Sequence, residues 1–289
     1  MQQALRDFQF ERVLSHDTRT KHAYLLGRIN QEPAILSFEK TKYEDQDFPQ
    51  LASHALDLQD VNENNIYSWG VGHVRLDSAD TRIKMIYPAT ELHIKKYEDQ
   101  PRHMIVETPA MYKETTLPYI QSLPPERTQW VRNILEGKSE AERVVFHNHD
   151  PTSGFVILPD MKWDGTRESL YWVAIVMRSD LLSLRSLNRQ HLPLLKDIRD
   201  TAYKLVKEKY DLDKRDMRLF VHYQPSYYHF HVHITAISFA DPPGVFAGQA
   251  HLLDTVIDNI EMYDNYYQRA TLPFVVGERH PLYVAHTTK

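Results

Sequence analysis

Tyr227-Tyr228-His229-Phe230-His231-Val232-His233-Ile234 alternates imidazoles with apolar side chains. Side chains at i, i+2 and i+4 of a β-strand share one face. The pattern predicts a strand with His229, His231 and His233 on one face and Phe230, Val232 and Ile234 turned into a core. Burying one face pins the register, because a slip of one residue inverts both faces. Neutral imidazole is a common metal ligand, and near physiological pH it is also a nucleophile toward phosphorus or carbonyl carbon. Alternate strand residues stand roughly 6.5 Å apart and the outer pair about 13 Å. With Zn–N bonds of about 2.1 Å, two neighbours can chelate one ion while the third strains to reach it.

Around this rail the chain reads as an antiparallel α+β protein. Met217 to Tyr223 and Leu170 to Met177 are expected as strands. Arg143 to Phe146, Phe155 to Leu158 and Thr271 to Val276 read the same way. Asn188 to Tyr210 has the spacing of one long amphipathic helix, with Leu192, Leu194, Leu195, Ile198, Ala202 and Leu205 inward. Ala250 to Met262 reads as a helix with Leu252, Leu253, Val256, Ile257 and Ile260 inward, and Trp130, Val131, Ile134 and Leu135 sit at helical spacing before Gly137. Toward the N-terminus, Phe8–Leu14, His22–Ile29, Pro33–Phe38, Tyr67–Arg75 and Ile83–Tyr87 read as strands. Ser15 to Arg19 reads as a turn, Gln50 to Val61 is ambiguous, and Glu91 to Tyr97 is a helix. The expected division is a β-rich domain at 1–97, a hinge at 98–105 around Pro101, and a catalytic domain at 106–289.

Composition narrows the chemistry. The 289 residues exceed one average domain, and 42% apolar content supports real cores. There is no cysteine, which excludes disulfides, thiolate nucleophiles and Cys-ligated zinc. No run of eighteen apolar residues occurs and the N-terminus has no apolar signal core, so the expected compartment is cytoplasmic, with the nucleus also open. A formal net charge of −5 lacks the basic face of a protein that grips long duplex nucleic acid, so an anionic ligand is expected to be small. No Walker A loop, dinucleotide-binding glycine fingerprint, G-x-S-x-G elbow or H-E-x-x-H occurs, which leaves the rail as the strongest chemical signal.

The pattern His-φ-His-φ-His-φ-φ, with φ apolar, is met from His229 to Ile234 and departs from it at Thr235. In this the chain resembles the histidine triad (HIT) nucleotide hydrolases and transferases. Val221-His222-Tyr223-Gln224-Pro225-Ser226-Tyr227-Tyr228 is similar to the scavenger mRNA decapping (DcpS) branch. Trp130 to Leu135, followed by Ser139-Glu140-Ala141-Glu142-Arg143, looks like the segment that supplies the stacking tryptophan and the acidic reader of a methylated base. Gly154 to Trp163 is similar to the branch's nucleotide-lining loop, and Ile86 to Glu91 to the end of its N-terminal domain. The likeness covers the chain from about Ile86 onward and thins before it.

The resemblance implies a hydrolase of phosphoric anhydride bonds acting on 7-methylguanosine cap dinucleotide or short capped RNA. The expected products are 7-methyl-GMP and a nucleoside diphosphate, or a diphosphate-ended oligonucleotide. His231 is the implied nucleophile, with His229 orienting the rail and His233 and His222 stabilising phosphate charge. Trp130 would stack on the cationic base and Glu140 would accept from its N1–H and N2–H₂ edge. Asp160, Lys162, Ser226 and Tyr227 are the further binding candidates, and no cofactor or metal is required. Taken alone, Trp130 is a helix core residue, Glu140 a surface acid, Lys162 a surface lysine and His222 an ordinary strand histidine. Tyr171 and Tyr223 read as core aromatics, and Ser238 to Gln249, with its Pro242-Pro243-Gly244 loop, carries no assigned role. A homodimer is implied, with exchanged N-terminal units that close over the sites. The rival readings are another HIT dinucleoside polyphosphate hydrolase, a non-catalytic cap-binding regulator of RNA decay, and a metalloenzyme using two rail histidines.

Overall fold

The computed structural model describes residues 2–18, 20–41, 43, 45–53, 57–73, 80–240, 242 and 244–288. The chain divides into two units, 1–100 and 101–289. Arg19, Val74, Arg75, Asp241 and Pro243, which fall within expected elements, lie outside the described residues. Among the described residues no helix is long and apolar enough to cross a membrane.

The first unit holds strands β1 (Gln9–Asp17), β2 (His22–Ile29), β3 (Glu32–Lys40), β4 (Asp57–Asn64), β5 (Tyr67–His73) and β6 (Thr81–Ile86). Its helices are α1 (Gln2–Arg6), α2 (Phe48–Ser53) and α3 (Glu91–Tyr97). An antiparallel sheet runs in the order β1-β2-β3-β6, and β4 and β5 form a separate two-stranded ribbon. Leu14, Leu26, Ile35 and Ala89 form the core of this unit, with Ile94 and Tyr97 of α3 packed against it. Asn30 and Gln31 both adopt positive φ, as a tight two-residue hairpin demands, and so set β2 against β3. Ser15, His16 and Asp17, expected in a turn, instead pair with Tyr24, Ala23 and His22. Of the ambiguous stretch, residues 50–53 end α2 and 57–61 begin β4, while 54–56 lie outside the described residues.

The second unit opens with β7 (Arg102–Glu107), α4 (Pro109–Met111), α5 (Leu117–Ser122) and α6 (Gln129–Leu135). It continues with β8 (Phe146–His147), β9 (Phe155–Pro159), β10 (Tyr171–Val176), α7 (Leu192–Tyr210), β11 (Met217–His222) and β12 (His231–Ala236). It closes with β13 (Ala250–Leu252), α8 (Leu253–Met262), α9 (Tyr266–Arg269), β14 (Leu272–Gly277) and α10 (Pro281–Thr287). Six strands form one antiparallel sheet in the order β13-β11-β12-β10-β9-β8. The alternation rule sorts its two faces. Phe230, Val232 and Ile234 join Trp172, Ala174, Leu219 and Val221 beneath the buried stripes of α7 and α8. Val173 and Ile175 face the other way and pack with Val156 and Leu158 under Val131, Ile134 and Leu135 of α6. The α+β class thus holds, with both sheet faces covered.

Five further expectations need correction. His229 is not on the strand: β12 begins at His231, because the ladder with β10 ends at Ile175 and Phe230 N–H turns to the Leu181 carbonyl (2.7 Å). Residues 102–105, expected in the hinge, belong to β7 and pair with Val276, Val275 and Phe274 of β14 among others. Ala250, His251 and Leu252, expected in a helix, pair with β11, and Leu252 is accordingly exposed. The long helix starts at Leu192, after a 3₁₀ turn whose Asn188 side chain accepts from Gln190 N–H (3.0 Å). The strand expected from Arg143 shrinks to Phe146–His147, since Ala141–Arg143 forms a 3₁₀ turn.

Candidate active site

The site forms on the α6 side of the six-stranded sheet, where β11 and β12 present their second face. His231 is 3% exposed. Its Nδ1 donates to the His229 carbonyl oxygen at 2.8 Å. A carbonyl only accepts, so the ring proton is on Nδ1 and the neutral imidazole keeps its lone pair on Nε2. Burial pushes this ring down to about 4, aided by the nearby His222 and His229 rings. At neutral pH it therefore carries no charge.

The Tyr227 ring lies flat on His231, centroids 4.2 Å apart with planes 13° apart. Its edge also meets Trp130 at 4.8 Å and 75°. Tyr227 thus connects an indole on α6 to the central imidazole. Trp130 itself is 43% exposed, while its helix neighbours Val131, Ile134 and Leu135 are buried. The helical repeat therefore turns Trp130 outward, and the core role that periodicity suggested for it fails.

His233 stacks on Phe220 (5.1 Å, 22°) and approaches His222 (4.3 Å) and His231 (5.0 Å). Its Nδ1 pairs with the Tyr171 hydroxyl at 3.1 Å, and its enclosed Nε2 has no protein partner. Burial lowers its titration well below the ordinary range, helped by the charges that His231, His222 and Lys162 would place nearby. Tyr171 is pushed up by burial and then by the Asp160 carboxylate, so its phenol keeps its proton. The neutral phenol and Nδ1 hold each other by one hydrogen bond, which orients the imidazole ring.

His229 sits behind the other two rings. Its Nε2 donates to the Val176 carbonyl (2.7 Å) while its own carbonyl fixes His231. His222 is buried at the end of β11. Gly244 lies directly over it: a Cβ there would stand 2.4 Å from His222 Nε2, and φ is +80°. Only glycine combines that backbone angle with that close approach.

Asp160 follows β9. Its N–H donates to the Tyr171 carbonyl (2.9 Å) and its Oδ1 accepts from Lys162 N–H (2.9 Å), which fixes the turn. The Lys162 side chain is exposed and its charge reaches His233. Glu140 is in the left-handed region with φ 54° and pairs with Arg143, whose Nη2 donates to the Pro159 carbonyl (3.0 Å). The acidic segment is thereby tied to the residue before Asp160. Ser226 is exposed in the loop that leads to Tyr227. Contacts or electrostatics thus join His222, His229, His231, His233, Tyr227, Trp130, Asp160 and Lys162, with Glu140 tied in through Arg143.

Two residues of this constellation carry no role in the sequence reading. Tyr171 is 1% exposed and reads as core, yet its hydroxyl reaches His233. Its alternation with Val173 and Ile175 on β10 was the available signal. Gly244 was the other, a lone glycine after Pro242-Pro243.

Residues 3–100 match the family described as scavenger mRNA decapping enzyme (DcpS) N-terminal, and residues 129–244 match scavenger mRNA decapping enzyme C-term binding. The chain belongs to the scavenger mRNA decapping enzyme family. Among the DcpS relatives, the m7GpppX diphosphatase of Schizosaccharomyces pombe is 38% identical over 287 residues, covering 97% of this chain and 94% of that protein. The m7GpppX diphosphatase of Ascaris suum is 40% identical over 282 residues, covering 96% and 93%. That of Homo sapiens is 38% identical over 283 residues, covering 95% and 83%. The DcpS likeness therefore extends through the first unit, where the motif resemblance was thin.

Proposed function

We propose that this chain hydrolyses the triphosphate bridge of 7-methylguanosine cap dinucleotide and short capped RNA. The observation that carries the reading is the neutral His231, with Nδ1–H held by a backbone carbonyl and Nε2 left with its lone pair. Nε2 attacks the phosphorus next to 7-methylguanosine, a P–N bond forms, and the P–O bond to the leaving diphosphate breaks. Water then splits the P–N bond and releases 7-methyl-GMP. One difficult displacement becomes two easier ones. The His229 carbonyl supports the positive charge that His231 gains during attack. His233, His222 and Lys162 face the phosphate oxygens and stabilise their developing charge. Trp130 stacks on the cationic base, a contact worth up to about 2 kcal/mol when desolvated, and Glu140 and Asp160 read its polar edge. Ser226 and Tyr227 bound the phosphate chain.

We also infer a homodimer. The β4–β5 ribbon exposes Trp69 by 56% and Ile66 by 80%, and a lone two-stranded ribbon is marginal in water. A second copy covering these side chains accounts for them. The test of the activity is incubation with m7GpppA in EDTA and identification of the products. Release of 7-methyl-GMP and ADP is expected. Recovery of 7-methyl-GDP would place the attack on another phosphorus, and inhibition reversed only by added zinc would replace the nucleophile with a metal mechanism.

A further inference from the structure

Residues 223–228 join β11 to the histidine rail, and among the described residues no backbone hydrogen bond holds Gln224, Pro225 or Ser226. Side chains therefore set the shape of this loop, and Gln224 supplies a crossbar. Its Nε2 donates to Glu107 Oε2 at 3.3 Å, and its Oε1 accepts from the Tyr228 hydroxyl at 3.2 Å. A carboxylate oxygen accepts, so the amide nitrogen turns toward Glu107 and the amide oxygen is left for Tyr228. Burial, and then the neighbouring Tyr119, pushes the Tyr228 phenol up, so it keeps the proton it donates. Glu107 is a firm anchor: it is fully buried, and Arg185 (2.8 Å), Tyr223 and Thr116 all donate to its carboxylate.

The crossbar joins residues four apart and so closes the loop on itself. Inside the closed loop stands Tyr227, whose ring lies flat on His231 at 4.2 Å and 13°. Tethering Tyr228 restricts the backbone that carries Tyr227, and a group ordered before the reaction costs no entropy during it.

We propose that Gln224 is a positioning residue for the attack: by holding Tyr228 to Glu107 it keeps the Tyr227 ring seated on the His231 imidazole. The proposal deepens the reading of His231 as the attacking group and rests on it. The titratable groups that face this ring are His222 on β11, His233 on β12, and Tyr227 and His229 of the adjoining loop. Gln224 and the Tyr228 hydroxyl carry no charge, so uncharged replacements reach His231 through the loop and not by a direct field. Losing the seat admits water to the imidazole. That weakens the effect of burial and raises its titration from about 4 toward the ordinary range.

The experiment compares Gln224→Leu, Tyr228→Phe and the double variant in m7GpppA hydrolysis across pH. Each single variant is expected to lose about tenfold in kcat with little change in KM, part of the roughly hundredfold that a 1 Å misplacement costs. The acid limb of kcat/KM moves up from near pH 4 toward 6.5. The double variant falls no further than the worse single one, because both cut the same tie. The proposal is overturned if kcat is unchanged, if kcat falls while the acid limb stays in place, or if the two losses multiply. Tyr228→Phe removes one hydroxyl and keeps the ring, so it decides the matter should Gln224→Leu fail to fold. Proton NMR reads the seat without turnover. The His231 ring protons, assigned against His231→Asn, are expected upfield under the Tyr227 ring and shift downfield in Tyr228→Phe. Unchanged resonances overturn the proposal, whereas failure of wild type to release 7-methyl-GMP bears only on His231 as the attacking group.

Discussion

His231 combines two properties that oppose each other in free histidine: a lone pair fixed on one nitrogen, and a charge state that resists acid. Burial supplies the second, and the His229 carbonyl supplies the first. A base whose titration lies near 4 stays unprotonated from neutral pH down to mild acid. The acid limb of kcat/KM, which reports the free enzyme, is therefore expected near pH 4 and not near the ordinary 6.5 of imidazole. The sign follows from the chemistry: falling pH protonates Nε2, removes the lone pair and lowers the rate. A pH–rate profile from 3.5 to 8 checks this, and a midpoint between 6 and 7 would mean that the attacking ring is solvated. At this scale the sequence was a good guide to residue type and a poor guide to commitment. Alternation placed His231 and His233 on one face, but no spacing could reveal that His229 offers its carbonyl as much as its ring.

Among the elements, β7 and the loop before β12 are joined by a buried network that local sequence does not show. Glu107 ends β7, and its Oε1 lies 2.8 Å from Arg185 Nη2, with neither side chain exposed. Tyr223 donates to the same carboxylate, and Gln224 Nε2 reaches its other oxygen at 3.3 Å. Arg185 Nη1 also donates to the Tyr267 and Ala270 carbonyls at 2.7 and 2.6 Å. These bonds hold Tyr223 and Gln224, and so set the start of the loop that carries Ser226 and Tyr227. Removing one partner of a buried ion pair strands the other charge, at a cost of about 3–5 kcal/mol. Arg185→Met is expected to lose that much stability in urea unfolding, and adding Glu107→Gln to recover part of it. If the single variant costs less than about 1 kcal/mol, solvent reaches this pair. α7 and α8 were readable because one apolar face dictates their burial, and β10 because a continuous short apolar run marks a strand buried on both faces. β7 was not, since its partner β14 begins far along the chain and Pro101 beside it reads as a break. Glu107 and Arg185 were illegible for the same reason: a charged residue looks solvated until a distant partner buries it.

For the whole molecule, the two units differ in what they leave uncovered. The second unit encloses its sheet on both faces, whereas the first leaves Trp69, Tyr67 and Val71 of β5 in solvent. If a second copy covers that ribbon, Trp69→Asp puts a charge in the contact and shifts the mass seen by light scattering from dimer toward monomer. An unchanged dimer would move the contact elsewhere on the chain. In the sequence a polar, proline-bearing stretch follows a β-rich run, and the contacts divide the chain between residues 100 and 101. The exposure of Trp69 was not legible there, because an exposed aromatic on a strand reads the same as a buried one until its neighbours are known.

Gly244, whose backbone lies against His222, sets a limit on how this protein can change. A methyl group at that position would occupy the place of the imidazole, so random replacement of this codon followed by selection for turnover is expected to return glycine alone. Gln249 meets the same point with only the flexible end of its side chain at 3.2 Å, and since its backbone alone bonds Phe246 and Tyr223, other side chains are expected to be accepted there. Over generations, drift and adaptation on that side of the pocket are thereby channelled into one neighbour while the other stays frozen.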